Sequence, residues 1–167
     1  LSYNNLRSPE ETLTSYLNTL KSMNTEQIGN YLCIESLLNT SDSDKNSIAS
    51  ALVEQVHQNF DFKITNCEEQ GYTATVSTTI TTFDSTSILN TFSQEQDAYL
   101  SSADAVIDGS EKRYQKSLEM LLNDIKNNTA NITSTADFHL TNDGVSWKLD
   151  DSNTTLGNAL FGTLSNS

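Results

Sequence analysis

The stretch TSTADFHLTNDGVSWKLD, residues 133–150, decides the fold. Its polarity alternates with the period of a β-strand. Ser134, Ala136, Phe138 and Leu140 share one face, and Val145, Trp147 and Leu149 share a face of the return strand. Asn142-Asp143-Gly144 between them is a strong turn signal. An even loop places Leu140 opposite Val145, Phe138 opposite Trp147, and Asp137 beside Lys148 on the polar face. An odd loop puts Phe138 beside Lys148 and breaks both sets, because a slip of one residue turns every side chain over. The even register is expected, and the hairpin becomes an apolar floor for helices to pack on.

Working outward, a similar pattern lies earlier in the chain. Phe60, Phe62 and Ile64 alternate, Glu68-Glu69-Gln70-Gly71 turns, and Tyr72, Ala74, Val76, Thr78 and Ile80 alternate again. This predicts a first hairpin with its apolar face on the even-numbered positions. Between the hairpins the period changes to that of a helix. Asp84-Ser85 caps a long helix with a stripe of Ile88, Leu89, Phe92, Tyr99, Leu100, Ala103 and Ile107. Asp108-Gly109-Ser110 ends it, and Tyr114, Leu118, Leu121, Leu122 and Ile125 line the next.

Three helices are predicted upstream. Ser8-Pro9-Glu10-Glu11 opens the first, with Ser at the N-cap and Pro at the first position, before Leu13, Tyr16, Leu17, Leu20 and Met23. Asn24-Thr25 restarts the chain for a shorter stripe of Ile28, Tyr31, Leu32 and Leu37, interrupted by Gly29. The polar loop Thr40–Asp44 ends in a cap, and a third helix runs to about Asn59 with Ile48, Leu52, Val53 and Val56 inward. After the last hairpin, Asn153 caps a terminal segment carrying Leu156, Leu160, Phe161 and Leu164. The order predicts an α+β fold in a single domain spanning residues 1–167. An antiparallel sheet of two hairpins packs on the N-terminal helices, with a helical hairpin inserted between the strand pairs.

Composition excludes several functions. The net charge of -13 and a pI near 4.2 argue against nucleic acid and anionic membrane surfaces, both of which need a basic face. No apolar run approaches the ~18 residues of a membrane helix. Cys33 and Cys67 are the only thiols; a disulfide and two small buried apolar residues are both open readings. No CxxC or His/Cys ligand spacing points to zinc, so no metal and no cofactor are expected.

The residues able to do chemistry are few. His57 flanks an apolar helical stripe, and His139 alternates onto the face opposite Phe138; both read as surface or boundary histidines. Tyr16 and Tyr31 lie on core stripes, where a hydroxyl usually satisfies a hydrogen bond. Asp42-x-Asp44-x-Asn46 begins like a calcium loop but has Ser47 at the sixth position and Val53 at the twelfth, and so reads as a helix cap. Glu68-Glu69 and Asp150-Asp151 read as solvated turns. The Asn-x-Ser/Thr sequons at Asn39, Asn127, Asn131 and Asn153 are what chance gives in a chain this rich in those residues.

The run Asp143-Gly144-Val145-Ser146-Trp147-Lys148-Leu149-Asp150, followed by Leu156, Asn158-Ala159-Leu160 and Gly162, resembles the closing motif of small lipoproteins of Gram-positive bacteria. Those proteins look like members of the nuclear transport factor 2-like (cystatin-like) superfamily. The opening Ser8-Pro9-Glu10-Glu11 with Leu13, Tyr16-Leu17 and Leu20 is similar to their first helix. The resemblance implies a curved sheet wrapped on helices, export, and a lipid anchor on a cysteine upstream of Leu1. It implies no activity. The expectation is a non-catalytic extracellular domain of the cell envelope that binds a small apolar ligand or a protein partner. The lining of a ligand site would be Tyr16, Leu20, Tyr31, Phe62, Val76, Phe92, Phe138 and Trp147. The alternatives are a pocket enzyme of isomerase-like or lyase-like type, and a homodimer formed across the open sheet face.

Overall fold

The computed structural model describes residues 7–30, 32, 40–150 and 152–164. The elements are α1 (Pro9–Leu20), α2 (Thr25–Gly29), α3 (Asp42–Asn59), β1 (Asp61–Gln70), β2 (Thr73–Phe83), α4 (Ser85–Leu100), α5 (Ala103–Asn127), β3 (Asn131–Asn142), β4 (Trp147–Leu149) and α6 (Ser152–Phe161), then a short 3₁₀ turn (Gly162–Leu164). The strands form one antiparallel sheet in the order β1-β2-β3-β4. The α+β order read from the sequence is the one observed.

Local chemistry places the helix starts. Ser8 accepts the Glu11 N–H and Ser41 accepts the Asp44 N–H. Asn24 and Gln27 form a reciprocal capping box. Asp84 accepts from Thr86 and Ser87. Packing then fixes one face of the sheet. α1 crosses β1, β2 and β4, α3 lies against β2, and α6 lies against β2 and β3. Leu13 and Leu17 of α1, Leu52 and Val56 of α3, Val76 and Ile80 of β2, Phe138 of β3 and Phe161 of α6 are all buried in one core cluster. The inserted pair α4–α5 joins that cluster through Phe92, Leu118, Leu121 and Ile125 and packs on α3.

Three expectations are corrected. The last hairpin keeps the even loop but slides by four residues. Leu140 pairs with Leu149 and Asn142 with Trp147, so Phe138 does not oppose Trp147 and Val145 is exposed. The cause is a loop of Asp143–Ser146 built by side chains. The Asp143 carboxylate accepts both Val145 N–H and Ser146 N–H at 2.9 Å, and Asn142 accepts Gly144 N–H at 2.8 Å. Gly144 sits at φ +96, which favours glycine. Because the slide is even, Phe138, Leu140, Trp147 and Leu149 stay on one face. Lys148 lies opposite Thr141 and pairs with Asp143 at 3.1 Å, not with Asp137.

The second correction is in β1. A bulge between Ile64 and Asn66 shifts its parity. Phe62 and Ile64 face the core on even positions, and beyond the bulge Cys67 pairs with Val76 and takes the core side. The third is α4, which ends at Leu100 rather than continuing to Ile107. Ser102 caps a new helix through the Ala105 N–H, and Gly109 breaks that helix at φ 80, ψ 170. Leu100, Val106 and Ile107 are consequently exposed. Tyr31, Cys33 and Leu37 lie outside the described residues.

Candidate functional site

The eight residues expected to line a ligand site fall in two groups, with Tyr31 outside the described residues. Leu20, Val76, Phe92 and Phe138 are 4%, 0%, 3% and 0% exposed, inside the core cluster. Tyr16, Phe62 and Trp147 are half-buried and pack against that cluster from its edge. Phe62 also contacts Phe60 and lies under the Lys21 ammonium, 5.3 Å from the ring centre. The structure therefore brings these seven to one continuous apolar mass. Its surface grooves are elsewhere. One of about 620 Å³ runs along α3 and α5 beside Ser47, Ala51, Glu54 and Lys126, and one of about 550 Å³ lies between α2 and α3.

The opposite face of the sheet is polar and open to solvent. Thr73, Thr75, Ser77, Thr79 and Thr81 of β2 form one row, with Thr133, Thr135, Asp137, His139 and Thr141 of β3 beside it. Cross-strand bonds tie the rows together. Ser77 donates to Asp137 at 2.8 Å, Thr81 and Thr133 share a bond of 3.0 Å, and Thr75 meets the His139 ring at 3.2 Å. The alternation that drives even positions of β2 into the core puts these hydroxyls outside. Lys63, Glu68 and Gln70 extend the face on β1.

Two titratable clusters lie away from that face. Where the first turn of α1 meets β1, one ligand atom each from Glu10, Cys67 and Glu69 fall within 4.8 Å of one another. Cys67 is a free thiol. Burial, then a hydrogen bond to Glu10, pushes it up to about 11. At neutral pH this thiol is protonated, which makes it a poor nucleophile and a poor cation ligand. The bulge in β1 is what brings Cys67 here, and no spacing in the sequence announced it.

The other cluster joins the inserted helices. Burial raises the Asp124 carboxyl to about 7, and a hydrogen bond and repulsion from Glu95 on α4 add to the rise. Asp124 Oδ2 is shielded from solvent and has no hydrogen-bond partner among the described residues. The sequence held a clue to this pair. Asp124 stands three residues after Leu121 and beside Ile125, on the margin of an apolar stripe. Near the tip of the pair, Asp108 accepts from Tyr99 at 2.5 Å and from Lys116 at 2.7 Å. Those bonds, with Lys116 first, hold its carboxyl below the usual range.

The remaining candidates have structural partners. His57 Nε2 contacts the Met23 carbonyl at 2.9 Å, joining α3 to the connection between α1 and α2. Asp44 accepts the Tyr114 hydroxyl at 2.6 Å while its own N–H is bonded by Ser41, so it both starts α3 and fastens α5. Asp137 receives the Ser77 hydroxyl on the open face.

No family model and no curated protein matches the chain. Among solved structures it is similar to that of a "putative lipoprotein" (ycdA) from Bacillus subtilis subsp. subtilis str. 168. The TM-score is 0.55 at 15% sequence identity, over 95% of this chain and 49% of that one. The likeness is one of fold. The chain spans about half the length of that protein. At this identity a shared fold carries no activity with it.

Proposed function

We propose that the chain is a non-catalytic domain of the bacterial cell envelope that binds a protein partner through the open polar face of its sheet. The supporting observation is the contrast between the two faces. Val76 and Phe138 are 0% exposed within the core, whereas on the other side the hydroxyl row of β2 is half-buried and that of β3 mostly exposed. An apolar small molecule would have to displace close-packed side chains, at a cost comparable to opening a cavity. The lipoprotein of similar fold and the closing motif around Trp147 support an envelope location, with a lipid anchor upstream. The kinship with the nuclear transport factor 2-like superfamily is part of this reading. An acidic surface with net charge -13 favours a neutral or basic partner.

A photo-crosslinking residue tests the surface. Placed at Thr79, in the middle of the face, it should form a discrete adduct in an envelope fraction of a Gram-positive bacterium; placed at Gln58 on α3 it should not. Native mass spectrometry of the purified chain should show no small molecule retained. A stoichiometric bound ligand, or adducts at Gln58 and none at Thr79, would refute the reading.

A further inference from the structure

β3 is paired with β2 along its length but with β4 only over Leu140–Asn142. Hydrogen bonds show which way its backbone points. The Asn142 N–H bonds to the Tyr72 carbonyl on the β2 side, and the His139 carbonyl accepts the Asp150 N–H from the other side. Even-numbered residues of β3 thus face β2 and odd-numbered residues face away. Among the described residues, no strand pairs with the outward groups of Asn131, Thr133, Thr135 and Asp137. Residues 131–135 are exposed on both faces as well, Ile132 at 47%.

The two long edges of the sheet differ. β1 has the devices that keep an edge solitary: a bulge before Asn66 and the charges of Asp61, Lys63, Glu68 and Glu69. β3 is regular through all its pairs with β2 and carries no charge from Asn131 to Ala136. An unguarded regular edge is a template for another strand.

We propose that this edge pairs antiparallel with the same edge of a second copy, around a two-fold axis at Ser134. The sequence is complementary to itself in that register. Asn131 meets Asp137, Ile132 meets Ala136, and Thr133 meets Thr135, so no like charges face each other. The odd-numbered residues, whose backbone groups point outward, are the ones that bond across the axis. Ile132 and Ala136 meet on the core side, and the threonines continue the polar face into the second sheet. The contact is isologous, as a closed dimer requires. It involves the edge, not the partner-binding face, and stands independently of the function proposed above. Two net charges of -13 oppose it, so salt should strengthen it.

The test is sedimentation velocity on the chain from about 10 µM to about 0.5 mM, at about 0.15 M and about 0.5 M salt. A concentration-dependent dimer favoured by salt is expected. Thr135→Lys places a charge at the axis, and Thr135→Pro removes an outward N–H without touching the β2 ladder; each should weaken the dimer by about tenfold or more. Circular dichroism confirms that both variants fold. A Ser134→Cys variant lacking the native thiols (Cys33→Ser, Cys67→Ser) should oxidise to a covalent dimer. Position 134 becomes a non-hydrogen-bonded pair with Cα atoms about 4.5 Å apart, within disulfide range. Asp137→Cys in the same background should not. A monomer throughout, a dimer indifferent to Thr135→Lys, or a bridge at Asp137→Cys alone would overturn the proposal.

Discussion

Replacing Asp124 with Asn should leave stability nearly unchanged at about pH 3.5, where the carboxyl is protonated in both states, and increase it at about pH 8. Burial, reinforced by Glu95, raises the Asp124 carboxyl from 3.8 to about 7. Between those values the folded chain keeps a proton that the unfolded chain has released, so stability falls as pH rises through the window. The full shift would correspond to about 4 kcal/mol. Asp124 is only half-buried and Glu95 is exposed, so solvent screening reduces this to roughly 1–2 kcal/mol. The Asn side chain has no proton to lose and can donate to Glu95 at every pH. Urea unfolding followed by far-ultraviolet circular dichroism, at steps between about pH 3.5 and about pH 8, measures the slope for wild type, Asp124→Asn and Glu95→Gln. His57 and His139 are present in all three and cancel. The wild type should lose about 1–2 kcal/mol across the range relative to Asp124→Asn, with Glu95→Gln between them. Equal slopes for wild type and Asp124→Asn would refute the carboxyl pair.

Phe138→Ala should cost about 3–5 kcal/mol, read from the same urea curves, because a 0% exposed ring leaves a cavity in the core. In a Cys33→Ser background, Cys67 should react with a thiol reagent at about pH 8 roughly a hundredfold more slowly than a free cysteine, and Glu10→Gln should speed it. Asp143, held at about 2 by the N–H groups of Ser146 and Val145 and by Lys148, contributes stability above about pH 4 that is lost as pH falls. Asp143→Asn should flatten that acid limb in a pH titration of the melting temperature. Asp108→Asn should speed amide hydrogen exchange over residues 103–108, since Asp108 is what Tyr99 and Lys116 hold at the tip.

The sequence by itself determined the order of elements and, apart from β1 beyond its bulge and the junction of α4 with α5, which face of each is apolar. Caps such as Ser8, Asn24 and Asp84 are local, and so are the periods that separate β2 from α3; both act within a few residues and need no tertiary partner. The parity of the last hairpin was legible because burial punishes an odd slip. Its register was not, since two even loops both satisfy the pattern, and the side chains of Asn142 and Asp143 chose between them. The early end of α4 is local, set by the Ser102 cap, whereas the bulge that sends Cys67 to Glu10 and the meeting of Glu95 with Asp124 were decided by packing between distant segments. So was the contrast between a filled inner face and an open outer one. Alternation says which side chains share a face. Only the fold says what covers it.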